Sequence, residues 1–80
     1  MSENIKRNSY SATEKFRNFL KEIDGNRAKL ALEASVSART IARIRAGENV
    51  SSSTARNTHK AARKPLFGYG GTFESAFSQV

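Results

Sequence analysis

Eighty residues allow one small domain, and a hydrophobic content of 38% suffices for a compact helical core but not for a buried enzyme cleft. The absence of cysteine excludes disulfides and thiolate metal sites, and no apolar run is long enough for a bilayer span or a signal peptide, so a cytoplasmic location is expected. The net charge of +7 is local: residues 26–64 carry nine Lys and Arg against two acids, residues 1–25 carry five against four, and residues 65–80 carry only Glu74. Positive charge concentrated in this way is the electrostatic footprint of a nucleic-acid partner.

Residues 1–9 are polar, with Lys6-Arg7 and one apolar residue, Ile5. They read as a flexible basic arm, which either follows a DNA groove or has no role. Ser11-Ala12-Thr13-Glu14 has the form of a capping box, with Ser11 as the cap and Glu14 reaching back. Phe16, Phe19, Leu20 and Ile23 follow at helical spacing, and Asp24-Gly25 is expected to end that helix with Gly25 in the left-handed conformation. This stripe is core: burying each large side chain contributes about 1.5–3 kcal/mol.

A second helix is predicted over 27–34 with Asn26 as its cap, and a third over 38–46 that stops at Gly47. Ser51-Ser52-Ser53-Thr54 can cap a fourth helix over 54–64, which Pro65 ends. The apolar face of that helix is thin, consisting of Ala55, Thr58, Ala61 and Ala62. Side chains so small imply either close packing or a helix that is marginal until something binds.

Residues 65–80 form an aromatic tail. Thr72 can cap a short helix carrying Phe73, Ala76, Phe77 and Val80, or Leu66-Phe67 and Tyr69 can extend as an edge strand. The aromatic side chains Phe67, Tyr69, Phe73 and Phe77 have three possible destinations: the domain's own core, a dimer contact, or another protein. The expected organisation is therefore a flexible arm (1–9), a domain (10–64) and a tail (65–80). The expected fold class is all-α, a small bundle of four to five short helices.

The second and third helices carry the most specific pattern. Leu30, Ala31 and Ala34 share one side of the former, and Ile41 and Ile44 one side of the latter. Val36 is the single apolar residue of the turn between them, Ser37 is a good N-cap, and the small Ala31 lets the helices cross closely. These features fit a central helix-turn-helix, whose second helix enters the DNA major groove.

At Leu30-Ala31, Val36-Ser37, Thr40-Ile41, Arg43-Ile44 and Gly47 the chain resembles the Cro/CI-type (XRE-like) helix-turn-helix repressors of phages and bacteria. The resemblance covers residues 26–48 and does not extend to the two ends. It implies a repressor that binds a palindromic operator in double-stranded DNA as a homodimer. The chain departs from that family at two positions. Ser35 stands where glycine is usual, at about 1 kcal/mol if the backbone there is left-handed. Arg45 stands where an acidic residue is frequent, so the usual ion pair to the preceding helix is absent or reversed.

In a helix-turn-helix the outward face of the third helix meets base edges. Here that face presents Ser37, Ala38, Arg39, Ala42 and Arg43. Arg39 and Arg43 are four apart, and a guanidinium fork matches the O6 and N7 acceptors of guanine. Phosphate contacts are expected from Asn26 and Arg27 before the second helix, from Arg45 at the interface edge, and from Ser51, Ser52, Ser53, Arg56 and Lys60 on the fourth. No cofactor and no metal is expected, since His59 has no set of carboxylates around it and reads as a partly exposed helix residue. No enzymatic constellation is present in the sequence. The competing readings are an antitoxin or transcription-machinery adaptor that captures a protein partner through residues 66–80, and RNA binding by the basic fourth helix.

Overall fold

The computed structural model describes residues 9–80, so the basic arm expected at the N-terminus lies, but for Ser9, outside the described residues. In chain order the elements are β1 (Ser9–Ala12), α1 (Glu14–Glu22), a 3₁₀ turn (Asp24–Asn26), α2 (Arg27–Ala34), α3 (Ala38–Arg45), β2 (Val50–Ser51), α4 (Ser52–Ala62), α5 (Phe73–Ala76) and β3 (Phe77–Gln79). The fold is mostly helical but not all-α. Its three strands make a small antiparallel sheet in the order β2-β1-β3.

The sheet joins the two ends of the described chain. β1 is central: Ser9 and Tyr10 pair with Ser51 and Val50 on one side, and Tyr10, Ser11 and Ala12 pair with Gln79, Ser78 and Phe77 on the other. Val80 N–H adds a bond to the Ser9 carbonyl at 2.9 Å. This pairing moves the first helix cap from Ser11 to Thr13. Ser11 belongs to the ladder opposite Ser78, whereas the Thr13 hydroxyl accepts from Phe16 N–H at 3.3 Å and donates to the Ser75 carbonyl at 2.5 Å. Thr13 N–H also donates to the Ala76 carbonyl at 2.8 Å. One residue thus starts α1 and ties it to the C-terminal segment 62–63 positions away.

Glycine does not stop α1. The helix is capped at Ile23 and passes into the 3₁₀ turn, with Asn26 N–H bonded to the Ile23 carbonyl at 2.7 Å and no positive φ at Gly25. Asn26 makes no side-chain cap bond, and the Asp24 carbonyl of the turn takes the Arg27 N–H. The turn thus satisfies the first free N–H of α2.

The core centres on Phe16, which is fully buried. Its ring meets Tyr69 edge-on at 4.9 Å, Phe77 at 5.1 Å and Phe19 at 5.6 Å, all within the range of favourable aromatic pairs. Leu20, Leu30, Ile41 and Ile44 complete the large apolar set, and Ala31, Ala34, Ala55, Ala61 and Ala62 fill the rest. The alanine and Thr58 face of α4 packs closely on α2. The first of its two expected modes is therefore the one observed.

The C-terminal segment is integral to this core. Phe67, Tyr69 and Phe77 are buried, and Phe73 is half-buried against Tyr10, Phe77 and His59. Only one turn of helix forms, capped by Thr72 as expected, before the chain extends at Phe77 into β3. Gly71 fits this site because a Cβ there would lie 2.7 Å from the Tyr69 hydroxyl. His59 is buried at 7% exposure, rather than partly exposed. Its Nε2 is 3.0 Å from the Gly71 carbonyl, which can only accept, so Nε2 carries the hydrogen.

Phe77 tests this account of the core. Phe77→Ala is expected to lower the unfolding free energy by about 3–5 kcal/mol, measured from the urea midpoint. A loss below about 1 kcal/mol, the size of an ordinary surface effect, would place the segment outside the core.

Candidate nucleic-acid interface

The segment from α2 to α3 is built by its caps. α2 ends in a Schellman arrangement: Val36 N–H donates to the Ala31 carbonyl at 2.9 Å and Ser35 N–H to the Leu32 carbonyl at 3.1 Å. That geometry demands a left-handed residue, and Ser35 supplies it at φ 60° and ψ 38°. Val36 is thereby folded back onto the core, and Ser37 caps α3 by accepting from Thr40 N–H at 3.1 Å. α3 ends in the same way with the more usual residue. Gly47 takes φ 87°, its N–H bonds the Ile44 carbonyl at 3.0 Å, and Glu48 N–H bonds the Arg43 carbonyl at 3.0 Å.

The orientation of α3 follows from its two anchors. Ile41 and Ile44 are buried at 1% and 0% exposure, against α1 and α2. With successive side chains about 100° apart, the opposite direction falls to Arg39, Arg43 and Ala46, flanked by Ala42. Ser37, Ala38, Arg39 and Arg43 are indeed exposed and Ala42 is half-buried. Among the described residues Arg39 makes no ion pair or side-chain hydrogen bond. Arg43 donates from Nε to Glu48 Oε1 at 3.0 Å. The sequence reading assigned Glu48 no role. The signal that could have found it is Gly47, since a left-handed residue at that point brings the next residue back over Arg43.

The residues expected to hold phosphates are divided. Asp24 Oδ1 takes Arg45 Nη1 at 3.0 Å and lies 3.6 Å from Arg27 Nη1. Arg45 thus bonds to an acid in the turn before α2 and not to α2 itself. Arg56 lies over the Phe73 ring at 4.9 Å and reaches Ser52 Oγ at 3.4 Å. Ser51 Oγ is occupied as the α4 cap, accepting from Thr54 N–H at 3.3 Å, and Ser53 Oγ is 3.4 Å from it. Asn26 and Lys60 are exposed, and Lys60 lies next to the Lys64–Glu33 ion pair on a cleft that also includes Ser35 and Asn57. The candidates for phosphate contact thus comprise two free side chains, three arginines in exposed or half-exposed pairs, and three serines at a helix N-terminus.

Of the third group, Phe67, Tyr69 and Phe77 are buried and Phe73 is half-buried. Of the three destinations expected, Phe67, Tyr69 and Phe77 take the domain's own core, Tyr69 and Phe77 against Phe16 of α1, so these three rings are not presented as an exposed contact surface. A cleft of about 400 Å³ lies between α1 and the Gly68–Gly71 loop, lined by Lys15, Asn18, Phe19, Glu22 and Tyr69. Its single carboxylate and single ammonium form no acid–base pair. Among the described residues no group of three or more His, Asp or Glu is placed to hold a metal ion, and no helix is long and apolar enough to cross a membrane.

Comparison with protein families, with curated proteins and with solved structures yields no match to this chain.

Ser35 gives a test of the turn. A left-handed non-glycine residue costs about 1–2 kcal/mol, and glycine's extra freedom in the unfolded chain returns roughly 0.5–1 kcal/mol of that. Ser35→Gly is therefore expected to stabilise the domain by about 0.5–1 kcal/mol, seen as a higher urea midpoint with an unchanged slope.

Proposed function

We propose that this chain is a sequence-specific regulator that binds double-stranded DNA, a Cro-like repressor that lays α3 in the major groove. The observation that carries the reading is the solvent face of α3: two arginines four residues apart, with small neighbours, on a helix fixed from behind by Ile41 and Ile44. A guanidinium presents paired N–H donors that match guanine O6 and N7, and Ala38 and Ala42 allow close approach and contact with thymine methyls. Rigid support matters here, because a side chain reads a base edge only if its helix cannot roll.

Phosphates are held by the surroundings in this reading. The N-termini of α2 and α4 present backbone N–H groups near Asn26, Arg27 and Ser51–Ser53, and Lys60 adds a free ammonium. Arg27 and Arg45 can exchange their exposed partner Asp24 for phosphate, since exposed ion pairs contribute only about 0–1 kcal/mol, and Arg56, over the Phe73 ring, is exposed beside the α4 N-terminus. The net +7 carried by residues 26–64 supplies the long-range attraction. Two copies on a palindromic operator would place their α3 helices about one helical turn, ~34 Å, apart.

The experiment is selection of duplexes from a random-sequence library, followed by affinity measurements on the selected duplex and its single-base-pair variants. Arg39→Ala and Arg43→Ala are each expected to cost about 1–3 kcal/mol and to relax preference at one base pair per half-site. Lys60→Ala is expected to weaken every duplex alike and to reduce the salt slope by about one. Recovery of no preferred sequence, or arginine variants that discriminate as the parent does, would refute the reading.

A further inference from the structure

Arg39 and Arg43 occupy one face but differ in one respect. Arg39 has no partner among the described residues, whereas Arg43 is held by Glu48. The hold begins in the backbone. Gly47 at φ 87° turns the chain so that Glu48 N–H reaches the Arg43 carbonyl at 3.0 Å. The Glu48 carboxylate is then carried over the Arg43 side chain, where Oε1 accepts from Nε, also at 3.0 Å. Both side chains remain accessible, at 59% and 52% exposure. A guanidinium has five N–H donors. The contact recorded here uses the one on Nε and leaves the two terminal nitrogens, the pair that spans guanine O6 and N7, open to solvent.

An ion pair this exposed adds little to stability, because water screens it and two flexible side chains must be ordered to make it. Its effect falls on Arg43 itself. The carboxylate restricts the arginine's rotamers before any partner arrives, which reduces the ordering cost of forming a two-pronged contact. It also sets a negative charge beside the surface that meets DNA. Where the two prongs find a guanine, that charge is balanced across the guanidinium. Where they do not, it faces phosphates and groove acceptors and repels them.

We infer that Glu48 is a positioning and specificity-determining residue: it aims Arg43 at a single guanine and penalises duplexes that lack it. This rests on the reading of α3 as the helix that enters the groove. Arg39, which no carboxylate holds, serves as the internal control. A role confined to folding would affect both arginines equally.

The test uses the full chain and the duplex it selects from a random-sequence library. Arg39→Ala and Arg43→Ala first identify the base pair each side chain reads. Dissociation constants are then measured for Glu48→Ala and Glu48→Gln against that duplex, against its variants at those two base pairs, and against random-sequence duplex. Glu48→Ala is expected to reduce discrimination at the Arg43 base pair by roughly fivefold or more, the low end of what an arginine–guanine pair contributes. Discrimination at the Arg39 base pair should stay within about twofold, as for sites that share no partner. Binding to random-sequence duplex should tighten, because a negative charge is removed. Glu48→Gln keeps an oxygen that accepts from Nε, so it should retain most of the discrimination while tightening random binding in the same way. Equal loss at both base pairs, loss at neither, or a glutamine variant as indiscriminate as the alanine variant would overturn the assignment. Failure to recover any preferred duplex would instead remove the DNA-reading premise, and the assignment with it.

Discussion

Phe16 is the point on which the structure depends. Its ring is enclosed by Phe19 from its own helix and by Tyr69 and Phe77 from the far end of the chain. The reason lies in the composition of the middle of the chain. α2 and α4 bury mostly alanines, which pack closely but contribute little apolar area each. A domain of this size needs larger side chains from elsewhere, and the aromatics are in β1, in α1 and in the last fifteen residues. The sheet then follows as the device that brings these two ends together. β1 and β3 pair from Tyr10 to Ala12, and Thr13 bonds to Ser75 and Ala76 where the pair meets the helices.

That closure determines what α3 presents. α1, fixed at its start by Thr13 and along its length by the Phe16 cluster, forms one wall of the seat for Ile41 and Ile44, and α2 forms another. With both isoleucines buried, Arg39 and Arg43 have only the solvent side available. Four of the nine cations in residues 26–64 are in exposed or half-exposed ion pairs: Arg45 and Arg27 with Asp24, Arg43 with Glu48, Lys64 with Glu33. Such pairs keep the basic surface ordered at little energetic consequence and can exchange partners when phosphate is near. The aromatic segment acts at a distance in this scheme, because it holds the helix that backs the arginines.

Elements with local causes were legible in the sequence. α2 was read at its observed limits and α3 to within a residue, because Leu30, Ala31, Ala34, Ile41 and Ile44 keep helical spacing and Ser37 and Gly47 mark the ends. Ser35 was legible as a left-handed residue only through resemblance, since nothing in a serine announces φ 60°. The sheet was not legible: its strands have two to four residues and pair across some forty to seventy positions, too short for any alternation to register. Ser11 and Thr13 are both good caps, and only the pairing of Ser11 with Ser78 decides between them. The tail's aromatics offered three destinations, and contact with Phe16, more than fifty positions away, decides for the core. At the candidate site the arginine face was legible from periodicity. The Arg43–Glu48 and Arg45–Asp24 pairs were not, because one depends on a turn beyond the helix and the other joins residues 21 apart.

The most direct test is an amide chemical-shift map of the chain titrated with a short duplex at low salt. The account predicts the largest changes over residues 37–43 and in the first turns of α2 and α4, with the α1 side of the Gly68–Gly71 cleft unmoved. Changes centred on that cleft, or a first half of α3 that stays silent while the duplex binds, would contradict it.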